Sequence, residues 1–238
     1  MSLVALFGGC NRDSNERPAP ALEATAAPPA KVLALPKRPG SIRFAAIGDS
    51  GRGHRPQYEV AAQMAAFREV FEFGFVVMLG DNVYDGGTPE DYRQKFELPY
   101  KPFLADGVEF YAAIGNHDDV KQPSYAPFHM GGERYYTFEP DVPLLAEVLQ
   151  AGVRFFMLDT EALDATQLAW LDREMGKSDA DWEIPVFHRP IYTSGRYSRP
   201  ARIFRGALEP IFIRHGVRVA LSGHEHFYER IEPQQGIT

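Results

Sequence analysis

Short apolar runs and stretches of helical periodicity alternate from residue 41 to the C-terminus, and most of the short runs end at a glycine beside a polar side chain. Residues 42–47 predict a strand that stops at Gly48-Asp49. Residues 75–79, apolar almost throughout, predict a buried strand that stops at Gly80-Asp81. Between them Val60, Ala61, Met64, Phe67 and Phe71 recur at helical spacing, so residues 58–71 predict an amphipathic helix. A helical stretch over 89–96 precedes a strand over 109–114 that stops at Gly115-Asn116. Residues 134–138 and 153–158 predict two more strands. Asp164 is placed to cap a helix that runs to Met175 with Leu168 and Leu171 on its apolar face. Residues 183–187 lead as a strand into His188. A helix over 202–215 is closed by Gly216, and a last strand over 217–221 stops before Gly223-His224.

Strands alternating with helices imply an α/β fold around a mostly parallel sheet, because a parallel pair needs a crossover connection. Such sheets gather their sites where the carboxyl ends of the strands meet. Five polar clusters, far apart in sequence, are therefore expected to converge on one edge of the fold. No internal repeat is visible.

Residues 1–40 are of another kind. The opening MSLVALFGGC holds an apolar run too short for a membrane span, and Gly8-Gly9-Cys10 resembles the end of a bacterial lipoprotein signal. Two readings stand side by side: a trimmed signal whose Cys10 carries a lipid anchor, or an unstructured start with an incidental cysteine. The Ala- and Pro-rich stretch that follows suits an extended tether. The first reading implies export to the bacterial periplasm or cell envelope.

Composition narrows the chemistry. The 238 residues, 45% hydrophobic and 24% charged, suffice for one globular domain with a sizeable core. A formal net charge of −7 argues against a nucleic-acid-binding surface but not against an anionic substrate, since bound cations invert a local potential. One cysteine rules out an intrachain disulfide framework and any multi-cysteine metal cluster. Oxygen and imidazole donors are left to do the work.

Those donors lie in the five clusters Gly48-Asp49-Ser50-Gly51, Gly80-Asp81-Asn82-Val83-Tyr84, Gly115-Asn116-His117-Asp118, Val186-Phe187-His188 and Gly223-His224-Glu225-His226. Carboxylate, amide oxygen and imidazole suit hard and borderline metal ions, and a carboxylate can bridge two of them. A Gly-Asp pair alone is an ordinary turn. Gly-Asn-His-Asp and Gly-His-x-His are far more specific, and the ordered set is stronger still.

Over residues 49–226 the set resembles the calcineurin-like metallophosphoesterase superfamily, and within it the purple acid phosphatase branch. The resemblance implies a four-layer αββα sandwich, with residues 41–238 as the catalytic domain; members of the family usually continue into another strand past the position of Thr238, and whether this chain is cut short there is open. It implies that Asp49, Asp81, Tyr84 and His226 hold one metal ion, and that Asp81 bridges to a second held by Asn116, His188 and His224. Iron is implied at the Tyr84 position, with zinc, manganese or iron at the other. Two departures stand out. Gly51 occupies the place where broader members carry a histidine, and His188 follows Val186 by two residues, one fewer than the branch pattern.

The resemblance implies hydrolysis of phosphate monoesters by hydroxide formed on the metals. His117 is the candidate proton donor, with Asp118 orienting it; His54, Arg189 and Arg196 are candidate substrate contacts. Glu225 is expected to face solvent or to support the ligands. His215 suits a helix end, His129 a loop, and Asp159 a structural role. Phosphodiester hydrolysis at the same metals, or a metal-bearing binding protein without catalysis, are the alternatives. The oligomeric state is open.

Overall fold

The structure is a computed structural model that describes residues 41–140 and 152–238. The tether and Cys10 lie outside the described residues. Strand β1 (Phe44–Ile47) leads to helix α1 (Arg55–Arg68), then β2 (Phe75–Met78), helix α2 (Pro89–Tyr92) with a π-helical continuation over Arg93–Glu97, α3 (Lys101–Ala105) and β3 (Glu109–Ala112). The second half holds β4 (Tyr136–Phe138), β5 (Val153–Met157), α4 (Ala165–Met175), β6 (Trp182–Phe187), α5 (Ser198–His215) and β7 (Leu221–Ser222).

A single sheet was the expectation from alternation alone, and the strands divide instead between two. The first is parallel, in the order β1-β2-β3; the second, β4-β5-β6-β7, is mixed, because β4 runs antiparallel to β5. The side-chain period of a strand shows why a second sheet is needed. Val76 and Met78 of β2 pack into the cluster under α1, while Phe75 and Val77 point the other way. In the second sheet Phe155, Met157, Ile184 and Val186 face inward, while Phe156 and Phe187 pack toward α4 and α5. Strands apolar on both faces must be covered on both. The resulting four-layer sandwich is the one the resemblance implied.

Aromatic rings lock the inner interface. Phe155 meets Phe44 and Phe75 edge-on at 5.2 and 5.7 Å, and Tyr111 stacks on Phe138 at 3.7 Å. Such pairs add about 0.5–1.5 kcal/mol each beyond the area they bury.

Most element edges follow the expected signals. Asp164 accepts the Gln167 amide at 2.8 Å and caps α4. Gly216, at φ 69°, ends α5. The last strand is shorter than expected. Val217 donates its amide to Phe212 O at 2.9 Å and is buried against α5, so it closes the helix before any strand begins.

Candidate metal centre

Each cluster begins where a strand runs out. Parallel register brings Ile47, Met78 and Ala112 level in the first sheet, and Phe187 level with Ser222 in the second. Backbone hydrogen bonds then lace the loops together: Asp49 N to Gly80 O at 3.0 Å, Tyr84 N to Gly51 O at 2.9 Å, and Gly223 N to His188 O at 3.0 Å. Asp49, Asp81 and His224 all have positive φ (56°, 53° and 72°), a conformation that costs a non-glycine residue on the order of 1 kcal/mol. Strain of this kind, concentrated on three ligand-type side chains, is tolerated only where the surrounding loops impose it.

One ligand atom each from Asp49, Asp81 and His188 lie within 4.8 Å of one another. Asp81 and His188 are buried, and His188 Nε2 lies 3.4 Å from Asp81 Oδ1. The His188 Nδ1–H donates to Leu79 O at 2.9 Å, which leaves the Nε2 lone pair facing the carboxylates. Asn116 Oδ1 and His224 Nδ1 approach that nitrogen at 3.1 Å each. On the other side of Asp49, His226 Nε2 and the Tyr84 hydroxyl both lie 3.4 Å from Asp49 Oδ1 and 3.1 Å from each other. All seven expected ligand positions thus come together.

The electrostatics show what such a set lacks by itself. Burial raises the Asp49 carboxyl above the ordinary carboxylate range, and Asp81 adds to the rise while His188 opposes it. Burial, Asp49 and Asp81 likewise push the Tyr84 phenol up. His224 is held down to about 4, by burial first and then by His188 and Arg189. Two carboxylates drawn this close in a largely water-excluded setting need a positive charge between them. The donors fit a cation at the Asp49–Asp81–His188 triad. His224 fits less directly: Arg189 Nη1 donates to its Nε2 at 3.2 Å, so the ring hydrogen sits on Nδ1, and ligation through Nδ1 requires that contact to open.

Gly51 explains the first departure from the broader pattern. A Cβ there would sit 1.9 Å from Asn82 O, so no histidine fits at that position. Arg52 lies over the Tyr84 ring instead, 3.9 Å from its centroid.

The candidate catalytic pair needs correction. His117 is exposed, with its ring 4.8 Å from that of Tyr84, but its Nδ1 meets Asp85 Oδ1 at 2.9 Å, not Asp118. Asp118 is turned into the loops. Its Oδ1 accepts the backbone amides of Asn82 and Val83 at 2.7 and 2.9 Å, and its Oδ2 accepts that of Gly115 at 2.8 Å. A carboxylate with three backbone donors holds loops in place. Nothing remains of it to orient His117.

The substrate contacts fare unequally. Arg189 is drawn into a two-oxygen pair with Glu161, its Nε 2.9 and 3.0 Å from the carboxylate oxygens, so its guanidinium is already engaged. Arg196 is exposed and stacks on Tyr197, whose ring lies 4.0 Å from that of His224. His54 is exposed at the N-cap of α1 and makes no side-chain capping bond there. Asp159 pairs with Arg134 and accepts the Glu161 amide, His129 binds Phe110 O through Nδ1, and His215 meets Asp172 at 2.7 Å, partners that suit structural roles. Asp85 and Glu161 were missed. Asp85 follows Tyr84 directly, and that adjacency was a usable signal. Glu161 had none.

Two face-packed sheets that gather carboxylate, amide, phenol and imidazole at one end of their strands define a metallohydrolase of the α/β sandwich type. The chain belongs to the calcineurin-like phosphoesterase family, whose profile matches residues 42–228. It is 29% identical over 247 residues to purple acid phosphatase 4 of Arabidopsis thaliana, a match covering 91% of this chain and 70% of that protein. It is 24% identical over 241 residues to tartrate-resistant acid phosphatase type 5 of Oryctolagus cuniculus, covering 86% of this chain and 74% of that one. Among solved structures, GAP50, the anchor in the inner membrane complex of Plasmodium, superposes with a TM-score of 0.65 at 23% identity, covering 77% of this chain and 66% of that chain. A dimetal phosphatase from Danio rerio does so with a TM-score of 0.59 at 15% identity, covering 82% and 84%. At these identities the two structures support the fold alone.

Proposed function

We propose that this chain hydrolyses phosphomonoesters with two metal ions, one held by Asp49, Tyr84 and His226, the other by Asn116, His188 and His224, with Asp81 shared. The observation that carries the reading is the meeting of Asp49, Asp81 and His188 within 4.8 Å, with the remaining donors on either side. The purple and tartrate-resistant acid phosphatases among the relatives support the monoester preference. Iron beside Tyr84, with zinc, manganese or iron at the other position, is part of the same proposal. Bound there, the ions supply Lewis acidity to the phosphoryl oxygens and lower the pKa of a coordinated water.

The chain's own residues provide placement and a proton. Asp85 accepts from His117 Nδ1 and so fixes the ring, leaving Nε2 to carry the proton delivered to the departing alkoxide. The exposure of His117 at the edge of the cluster suits a group that must meet the leaving group and exchange protons with water. Arg196, at the rim, supplies a planar pair of donors for phosphate oxygens.

Parallel assays of iron- and zinc-loaded protein on a chromogenic monoester and a chromogenic diester test the proposal. Monoester turnover is expected to dominate. A diester rate larger by orders of magnitude makes the protein a phosphodiesterase, and no turnover of either by fully loaded protein leaves a metal-bearing binding protein. Export and a lipid anchor at Cys10 rest on the N-terminal pattern alone; fractionation of cells expressing wild type and Cys10→Ser tests them.

A further inference from the structure

Glu225 lies between two ligand-position imidazoles, yet its carboxylate is aimed elsewhere. Oε1 accepts the backbone amide of Tyr197 at 2.9 Å and the hydroxyl of Thr193 at 3.2 Å. Thr193 Oγ1 in turn accepts the Gly195 amide at 2.9 Å. Glu229, four residues further on, accepts the Ser194 amide at 3.1 and 3.2 Å with its two oxygens. Residues 193–197 are thus wrapped around one carboxylate and pinned by a second. Gly195 permits the wrap: a Cβ there would come within 2.3 Å of Glu225 Oε1. The tip of this loop lies against the centre, with Tyr197 over His224 at 4.0 Å and the Arg196 guanidinium 4.6 Å over Tyr197.

We propose that Glu225, aided by Glu229, is a positioning residue that moulds residues 193–197 into a fixed rim and so presents Arg196 to the phosphate ester. The physical reason is rigidity. Charge-assisted hydrogen bonds tie the loop to the same segment that carries His224 and His226, so rim and imidazoles move together. With Arg189 committed to Glu161, Arg196 is the cation this loop offers to phosphoryl oxygens. An exposed arginine on an untethered loop would have to be ordered at each binding event, at a cost in affinity. The proposal rests on the phosphomonoesterase reading for its kinetic arm but not for its structural one.

The test compares wild type with Glu225→Ala, Glu225→Gln, Arg196→Met and the Glu225→Ala/Arg196→Met double variant, all metal-loaded. Hydrogen exchange at the Ser194 and Tyr197 amides and monoester kinetics are the readouts. Glu225→Ala is expected to speed exchange at Tyr197 and to raise KM about tenfold, with kcat within about threefold and metal content unchanged. Arg196→Met should raise KM equally without changing exchange, and the double variant should be no worse than either single one, because both remove the same contact. Glu225→Gln, which keeps the volume and one carbonyl acceptor, should fall between. Unchanged exchange, additive KM effects, or loss of metal from the Glu225 variants overturns the proposal. If wild type turns over no monoester, the functional reading fails separately, and binding of inorganic phosphate then decides: equal affinity in wild type and the Glu225 and Arg196 variants sinks the positioning role.

Discussion

Asp118→Ala separates a structural carboxylate from a catalytic one. The substitution removes the acceptor of three backbone amides, those of Asn82, Val83 and Gly115, which lie 2.7–2.9 Å from it. A hydrogen bond to a charged group contributes about 1.5–3 kcal/mol. Burial raises the Asp118 carboxyl to about 7, so near neutral pH it is only partly charged and the lower end applies. Three such losses come to about 4.5 kcal/mol, a large share of the roughly 5–15 kcal/mol that holds a domain folded. Guanidinium unfolding followed by circular dichroism, in the presence of chelator, measures it as a fall in midpoint at constant slope. Asp118→Asn should lose less, since one carbonyl oxygen can still serve Asn82 and Val83, while the new amide opposes the Gly115 N–H. Asp85→Asn, at an exposed pair, should leave the midpoint where it is. The reasoning is refuted if Asp118→Ala stays within about 1 kcal/mol of wild type while turnover collapses, because Asp118 would then be serving the reaction and not the loops.

His117→Ala is expected to lower kcat about 10²–10⁴-fold on a monoester with a poor leaving group, and much less on one whose alkoxide leaves unaided. Asp85→Asn should follow the same leaving-group trend more weakly; equal losses on both substrates would remove the pair from proton transfer. Gly51→Ala places a methyl 1.9 Å from Asn82 O, so the loop bearing Asp81 must move, and metal retained per chain, read by elemental analysis, should fall. Wild-type metal content in that variant counts against the site geometry. In chelated protein, His224 is protonated less readily when folded, about 4 against an ordinary 6.5. The unfolded chain therefore takes up the proton first, and stability falls as pH drops from 6.5 towards 4. A His224→Asn variant should show a shallower slope over that window, and an unchanged slope would disprove the assignment.

Strand and helix positions were legible because apolar spacing is a local property of the chain. So were the metal-type side chains, since each follows the last apolar residue of a strand, and parallel strands deliver such residues to one end whatever the sheet count. Only the tertiary structure decided that two sheets share the work, because runs apolar on both faces, such as 75–79, do not reveal what covers each face. The partners of charged groups were likewise decided by distance through space. Asp118 stands next to His117 in sequence, but its side chain turns inward to three amides, and Asp85, 32 residues away, takes the imidazole. Arg189 stands next to a ligand-position histidine and is claimed by Glu161 across 28 residues. Glu225 lies between two imidazoles and holds a loop that begins 32 residues earlier. Sequence specifies which groups are present and which strand end each occupies. Which way a side chain turns depends on the donors and acceptors that folding brings within about 3 Å of it.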